Sequence, residues 1–375
     1  MGTSSIILMA VLMVSIVACE PGASLSEVPP SSTDTRSGPA VKLAFTTQPN
    51  GGIAGSAFDT QPVVAVEDAE GNVVTNYRGH IVLAITAGTG DSEARLFGGT
   101  TVGLVNGMVG FRDLRIDKAR DGYTLTATSG TLLPATSTPF TISPGVPAKL
   151  AFSIQPAIGV AGSPLTRQPE VMVQDYYGNM VTSFEGSVTV RATISYLDYT
   201  DQNQSEPSVQ TFPVALSGIT TVRMVNSVAR FTNISADRAF PGYTLRAMSD
   251  SLKSTISKTF TILPAAPAKL LITVQPEGAK GRTPFGTQPK VAIIDIYGNV
   301  VTSSRASITL AVTPGSGTTG AILSGTTTLV AEGARGGLAV FTDLSIDQAG
   351  SAYMLTATSS NLPSATSQAF DVSAP

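Results

Sequence analysis

Tyr123-Thr124-Leu125-Thr126-Ala127-Thr128 places Tyr, Leu and Ala on one side of an extended chain and threonine on the other. The same inward set returns as Tyr243, Leu245 and Ala247, and again as Tyr353, Leu355 and Ala357. Working outward from this strand, the flanking sequence repeats as well. Each copy opens on an apolar run: Ala40-Val41-Lys42-Leu43-Ala44-Phe45, Ala148-Lys149-Leu150-Ala151-Phe152 and Ala268-Lys269-Leu270-Leu271-Ile272. A Gln-Pro follows (Gln48-Pro49, Gln155-Pro156, Gln275-Pro276), then a second one (Gln61-Pro62, Gln168-Pro169, Gln288-Pro289). An Asp-x-x-Gly-Asn turn comes next, at Asp68 to Asn72, Asp175 to Asn179 and Asp295 to Asn299. A period of about 110 residues is too long for a solenoid unit and matches one small β domain.

Within copy one, Val64 and Val66 lead into the turn, and Ile81, Leu83 and Ile85 supply another apolar face. Asn106-Gly107 is a strong two-residue hairpin signal, followed by Met108, Val109 and Phe111. Phe140 and Ile142 close the copy. About seven short strands in a hundred residues, with regular turns, point to an immunoglobulin-like sandwich. Tyr123 sits where a tyrosine corner would bond back to the chain. The expected fold is all-β: three tandem immunoglobulin-like β-sandwich domains in an elongated arrangement, at 40–143, 148–263 and 268–373. The joints Pro144-Gly145-Val146-Pro147 and Pro264-Ala265-Ala266-Pro267 are proline-bracketed, which predicts semi-rigid connections.

Composition agrees. Only 13% of the 375 residues are charged, while 36 glycines and 24 prolines provide turns. The net charge is −3 and no Lys/Arg cluster occurs, which argues against binding nucleic acid through its phosphates.

The one cysteine, Cys19, ends an apolar run from Ile6 to Ala18 that is too short to span a bilayer. The run fits the core of a secretory signal over residues 1–18. Ile16-Val17-Ala18-Cys19 resembles the lipobox of bacterial lipoproteins, which implies a diacylglycerol on the Cys19 thiol and a membrane anchor. Met1 to Ser5 lacks the usual Lys or Arg, and cleavage after Ala18 with an unmodified Cys19 is the alternative. Residues 19–39 then carry the lipidated cysteine and a Pro/Ser/Thr/Gly-rich tether, roughly 25 Å across as a coil.

Paired Gln-Pro, Val-x-Val-x-Asp-x-x-Gly-Asn-x-Val, the Asn-Gly hairpin and Gly-Tyr-Thr-Leu-x-Ala together resemble the bacterial immunoglobulin-like domains of the invasin/intimin type. The resemblance covers residues 40–373 and implies stalks or adhesive modules at the bacterial cell surface. Unlike invasin and intimin, the chain shows no outer-membrane barrel segment and no Cys-containing receptor-binding domain.

Candidate sites are few. Asp68, Asp175 and Asp295 read as turn residues that bond their own backbone, with Gly and Asn accepting positive φ. His80, the only histidine, has no partner set for zinc or for a catalytic triad. No P-loop, dinucleotide fingerprint or nucleophile elbow occurs, and there is no Trp. One feature breaks the repeat. From the Gly-Asn turn to the Tyr is 51 residues in copy one, 64 in copy two and 54 in copy three. The excess falls around Tyr196 to Glu206. Tyr196 and Tyr199 are candidates to stack on a sugar, and Asp198, Asp201, Asn203 and Glu206 to collect Ca²⁺. The calcium reading lacks the glycine such a loop needs, and a longer solvated hairpin loop accounts for the same residues. The functional expectation is a non-catalytic, lipid-anchored surface stalk or adhesion module, without catalytic residues, metal or cofactor. Its partner would be a surface polysaccharide or protein; the alternative is a carbohydrate-binding accessory protein using the copy-two loop.

Overall fold

A computed structural model describes residues 37–198, 208–331 and 336–375, and among them it contains strands and turns but no helix. In copy one, strands Lys42–Thr47, Val63–Glu67 and Met108–Gly110 form one sheet. Ala135–Thr136, Leu125–Thr128, His80–Ile85 and Thr101–Gly103 form a second, and Gly52–Ile53, Phe140–Ser143 and Arg120–Tyr123 a third. Leu43, Val64, Val66 and Val109 from the first sheet meet Ile81, Leu83, Leu125 and Ala127 from the second in one buried cluster. Thr126 is half-buried and Thr128 exposed, so the period-two alternation is the sandwich's inside-outside code there. Thr124 is buried, a departure from the expected solvent-facing threonine row. Leu150 through Ile262 and Leu270 through Val372 build two further clusters of the same composition.

Tyr123, Tyr243 and Tyr353 are fully buried, and each hydroxyl donates to the carbonyl five residues upstream. The acceptors are Lys118 O at 2.9 Å, Arg238 O at 2.7 Å and Gln348 O at 3.0 Å. This is the tyrosine corner, and it ties the loop before the strand to the core. Burial pushes the hydroxyls of Tyr123 and Tyr243 above their ordinary pKa.

The two Gln-Pro motifs are sheet-completing devices. Gln61 Nε2 donates to Leu114 O and its Oε1 accepts the Leu114 N–H, at 3.1 and 3.0 Å. Gln168 does the same to Ile234 and Gln288 to Leu344. A side-chain amide here imitates a strand neighbour, beside a proline that has no N–H to offer. The first glutamines, Gln48, Gln155 and Gln275, accept the N–H of Thr138, Lys258 and Gln368, each at 2.9 Å.

Copy two differs in its pairing. Phe240–Ser249 runs as one strand where copy one breaks between Arg120–Tyr123 and Leu125–Thr128. It is held along that length by Ser187–Asp198, from Thr189↔Met248 to Ile194↔Tyr243. A parallel bridge, Lys149↔Lys253, the counterpart of Lys42↔Leu133 in copy one, connects the two layers, so copy two's strands form one ten-stranded sheet.

Candidate functional site

The symmetry-breaking stretch of copy two begins as an extended hairpin. Ser187–Asp198 pairs with Ser208–Val214 from Ala192↔Val214 to Asp198↔Ser208, whereas the corresponding strands end at Ile85 in copy one and Val312 in copy three. Tyr196 and Phe212 are each 41% exposed and stack with parallel rings, 5.7 Å between centroids and 7° between planes. Phe240 meets Tyr196 edge-on at 6.3 Å, and the Arg238 guanidinium sits 5.8 Å from the Phe240 ring. The result is an exposed aromatic platform edged by a cation. Asp198 ends the strand. Its side chain, and Tyr199, Asp201, Asn203, Glu206 and Cys19 entirely, lie outside the described residues. Phe212, Phe240 and Arg238 were missed by sequence reasoning. Phe212 reaches Tyr196 diagonally because the hairpin register sets Gln210 opposite Tyr196, and register is not legible in a list of residues.

A second arrangement occurs twice, between consecutive copies. Asn179, in the copy-two turn, donates from Nδ2 to Asp117 O at 2.8 Å, and its Oδ1 accepts the Ala119 N–H at 2.9 Å. Asn299, in the copy-three turn, donates to Asp237 O at 2.7 Å and accepts from Ala239 at 2.8 Å. Each asparagine therefore grips the loop beneath the preceding copy's tyrosine corner with one donor and one acceptor. The neighbouring tyrosine adds shape. Tyr177 lies against Gly55 and Tyr297 against Gly162, at distances that leave no room for a Cβ on either glycine. Lys118 Nζ also donates to Tyr177 O at 3.3 Å.

The aspartate of the turn aims the asparagine and holds the linker. Asp175 Oδ1 accepts the Asn179 N–H, and Oδ2 accepts both Asn179 Nδ2 and the linker Gly145 N–H. Asp295 makes the same set with Asn299 and the linker residue Ala265. Asp68 makes it with Asn72 and Gly38. Burial opposes the charge on Asp295, but the donors of Asn299, Ala265 and Tyr297 outweigh it and hold the carboxyl below its ordinary pKa. Burial likewise opposes the charge on Asp68, and the donors of Asn72, Gly38 and Glu70 outweigh it. The expectation that each turn asparagine takes positive φ is corrected. The glycines take it, with φ of 91° at Gly71, 88° at Gly178 and 85° at Gly298, and the asparagines do not. In copies two and three the asparagine side chain works across the joint instead.

Beside the first joint lies an open cleft of ≈ 600 Å³ whose carboxylates (Asp91, Glu93, Asp121) are interleaved with Lys118 and Arg120. Among the described residues, no three His, Cys, Asp or Glu side chains cluster closely enough to hold a metal ion.

No family model matches the chain, and no curated protein matches it. Solved structures do. FdeC, described as an Escherichia coli adhesin, is 13% identical with a TM-score of 0.32, over 90% of this chain and 99% of that one. Invasin, described as a bacterial integrin-binding protein, is 13% identical with a TM-score of 0.31, over 88% of this chain and 60% of invasin. Domains 4–9 of the surface layer protein SbsC are 18% identical with a TM-score of 0.21, over 90% of this chain and 48% of that one. Scores this low carry no argument about activity. The facing sheets, the buried tyrosine corners and the threefold repetition decide the fold. The chain is a tandem of immunoglobulin-like β-sandwiches.

Proposed function

We propose that this protein is a non-catalytic surface spacer, in which immunoglobulin-like copies are locked in series and present a contact surface away from a membrane. The observation that carries this reading is the repeated joint: two successive asparagines make the same pair of inter-copy hydrogen bonds, each with a tyrosine packed on a glycine. A net hydrogen bond stabilises by about 0.5–1.5 kcal/mol, so two per joint plus ring contact bias each joint toward one orientation. Sandwiches about 25–35 Å long, joined in this way, would hold the far end on the order of 100 Å from the anchor. In this reading Cys19 carries the lipid, residues 20–38 form the tether, and the location is the bacterial cell surface. Mass spectrometry of the native N-terminus tests the anchor; an unacylated Cys19 removes it. Small-angle scattering tests the spacer, and a compact profile with all three copies clustered would sink it.

A second reading rests on the Tyr196–Phe212 platform. Exposed, parallel aromatic rings suit the apolar face of a sugar ring, which makes cell-surface polysaccharide the favoured ligand class. Loss of glycan-array signal in a Tyr196→Ala, Phe212→Ala variant supports it, and absence of signal from the unaltered protein dismisses it.

A further inference from the structure

Among the described residues, the two faces that meet at each internal joint also stand without a partner, one on copy one and the other on copy three. Copy one carries the docking half. Asp68 holds Asn72 as Asp175 holds Asn179, yet Asn72 is exposed and Asn179 buried. Copy three carries the receiving half. Asp347 and Ala349 occupy the positions of Asp117/Asp237 and Ala119/Ala239 beneath the Tyr353 corner, and Ala349 is exposed.

Two substitutions set these outer halves apart from the inner ones. The position of Tyr177 and Tyr297 is Glu70 in copy one. The position of Gly55 and Gly162 is Arg282 in copy three, fixed by its backbone: Arg282 N–H donates to Ile346 O as Gly55 donates to Ile116 O and Gly162 to Ala236 O. Arg282 also keeps the left-handed backbone of those glycines, with φ of 62° beside 80° and 75°. Both side chains are exposed, and among the described residues neither forms an ion pair. At an inner joint a ring needs a bare glycine; at the outer pair a carboxylate would face a guanidinium.

We propose that copy one of one molecule docks on copy three of a second copy of this chain, head to tail, through the same asparagine grip, with Glu70–Arg282 replacing Tyr on Gly. The two faces differ, so the contact is heterologous and propagates as an open chain of molecules instead of closing as a dimer. Ala374 and Pro375 of the receiving molecule would lie near Ser37 and Gly38 of the docking one, so the chain beyond each must turn aside. The inference stands on joint geometry and charge, and is separate from any ligand on the aromatic platform.

Sedimentation equilibrium of the full chain tests it, with far-ultraviolet circular dichroism confirming that each variant is folded. The expected result is an average mass that keeps rising with concentration at low salt and falls back to the monomer near ~0.5 M salt, where an exposed pair is screened. Glu70→Arg alone and Arg282→Glu alone should each abolish the rise, and combining them should restore it. Glu70→Tyr with Arg282→Gly rebuilds an inner-type joint and should associate with little salt dependence. A wild-type chain that stays monomeric at every concentration overturns the proposal, as does a plateau at the dimer. So does association that survives either single reversal, or a double reversal that stays monomeric.

Discussion

The ring of Tyr297 lies so close to Gly162 that a Cβ built on the glycine would stand 1.8 Å from the tyrosine hydroxyl oxygen. Gly162 is also left-handed, at φ 75°. Two independent constraints therefore select glycine here, one from the backbone and one from the next copy. Gly162→Ala should cost about 1–2 kcal/mol in backbone strain and also push Tyr297 away. In a double-mutant cycle with Tyr297→Ala the clash disappears while the strain remains, so a coupling of roughly 0.5–3 kcal/mol is expected. Additive effects in thermal unfolding would show that the ring and the glycine do not interact.

Asn179→Ala and Asn299→Ala each remove one donor and one acceptor from a joint. Each should weaken its joint by about 1–3 kcal/mol without unfolding the sandwich on either side. Residual dipolar couplings from consecutive copies would report this as loss of a shared alignment. Asn72→Ala, at the exposed turn, should leave both internal joints unchanged, and an equal effect there would contradict the assignment.

Acid should loosen the second joint before it unfolds the sandwiches. The Asp295 carboxyl is held below its ordinary pKa by donors from Asn299, Ala265 and Tyr297 that outweigh burial. A depressed folded pKa means stabilisation that is present above the unfolded value, about 3.9, and lost as pH falls through the folded one. Scattering profiles should therefore broaden below about pH 4, and Asp295→Asn should already be loosened at pH 7. Profiles unchanged down to pH 2 in the unaltered protein would refute this.

Tyr243→Phe deletes one hydroxyl and leaves Arg238 O without its 2.7 Å donor. The expected loss is about 1–3 kcal/mol, or roughly 4–8 °C of melting temperature per kcal/mol for a domain this size. Calorimetry should place that loss in copy two alone. A change confined to another copy's transition would separate the corner from the stability of its own sandwich.

Much of this architecture is visible in the residues themselves. Tyr123, Leu125 and Ala127 alternate with threonine because a strand turns successive side chains to opposite faces, so inside and outside are written locally. Tyr353 repeats the pattern, and a short-range code repeated intact is legible wherever it occurs. The Gln-Pro pairs are equally visible, but their role is not: Gln61 works on Leu114, and that distance is closed only by folding. Prolines in the linkers announced stiff joints. The asparagine grip that orients them could not be anticipated, since Asn179 looks like any turn residue until Asp117 and Ala119 arrive from the previous copy. The platform has the same history. Tyr196 was singled out by a length difference, while Phe212, Phe240 and Arg238 join it through register and strand pairing.

The division has one physical cause. Periodicity, turn chemistry and repetition depend on neighbours within a few bonds, so the amino-acid order alone determined an all-β tandem with a buried tyrosine in every copy. Which surfaces meet depends on groups brought together from 60 residues away, as Asn179 and Ala119 are. Only the tertiary structure decided that the Gly-Asn turns of copies two and three are clasps between sandwiches, and that Arg282 holds in copy three the backbone position that Gly55 and Gly162 hold at the inner joints.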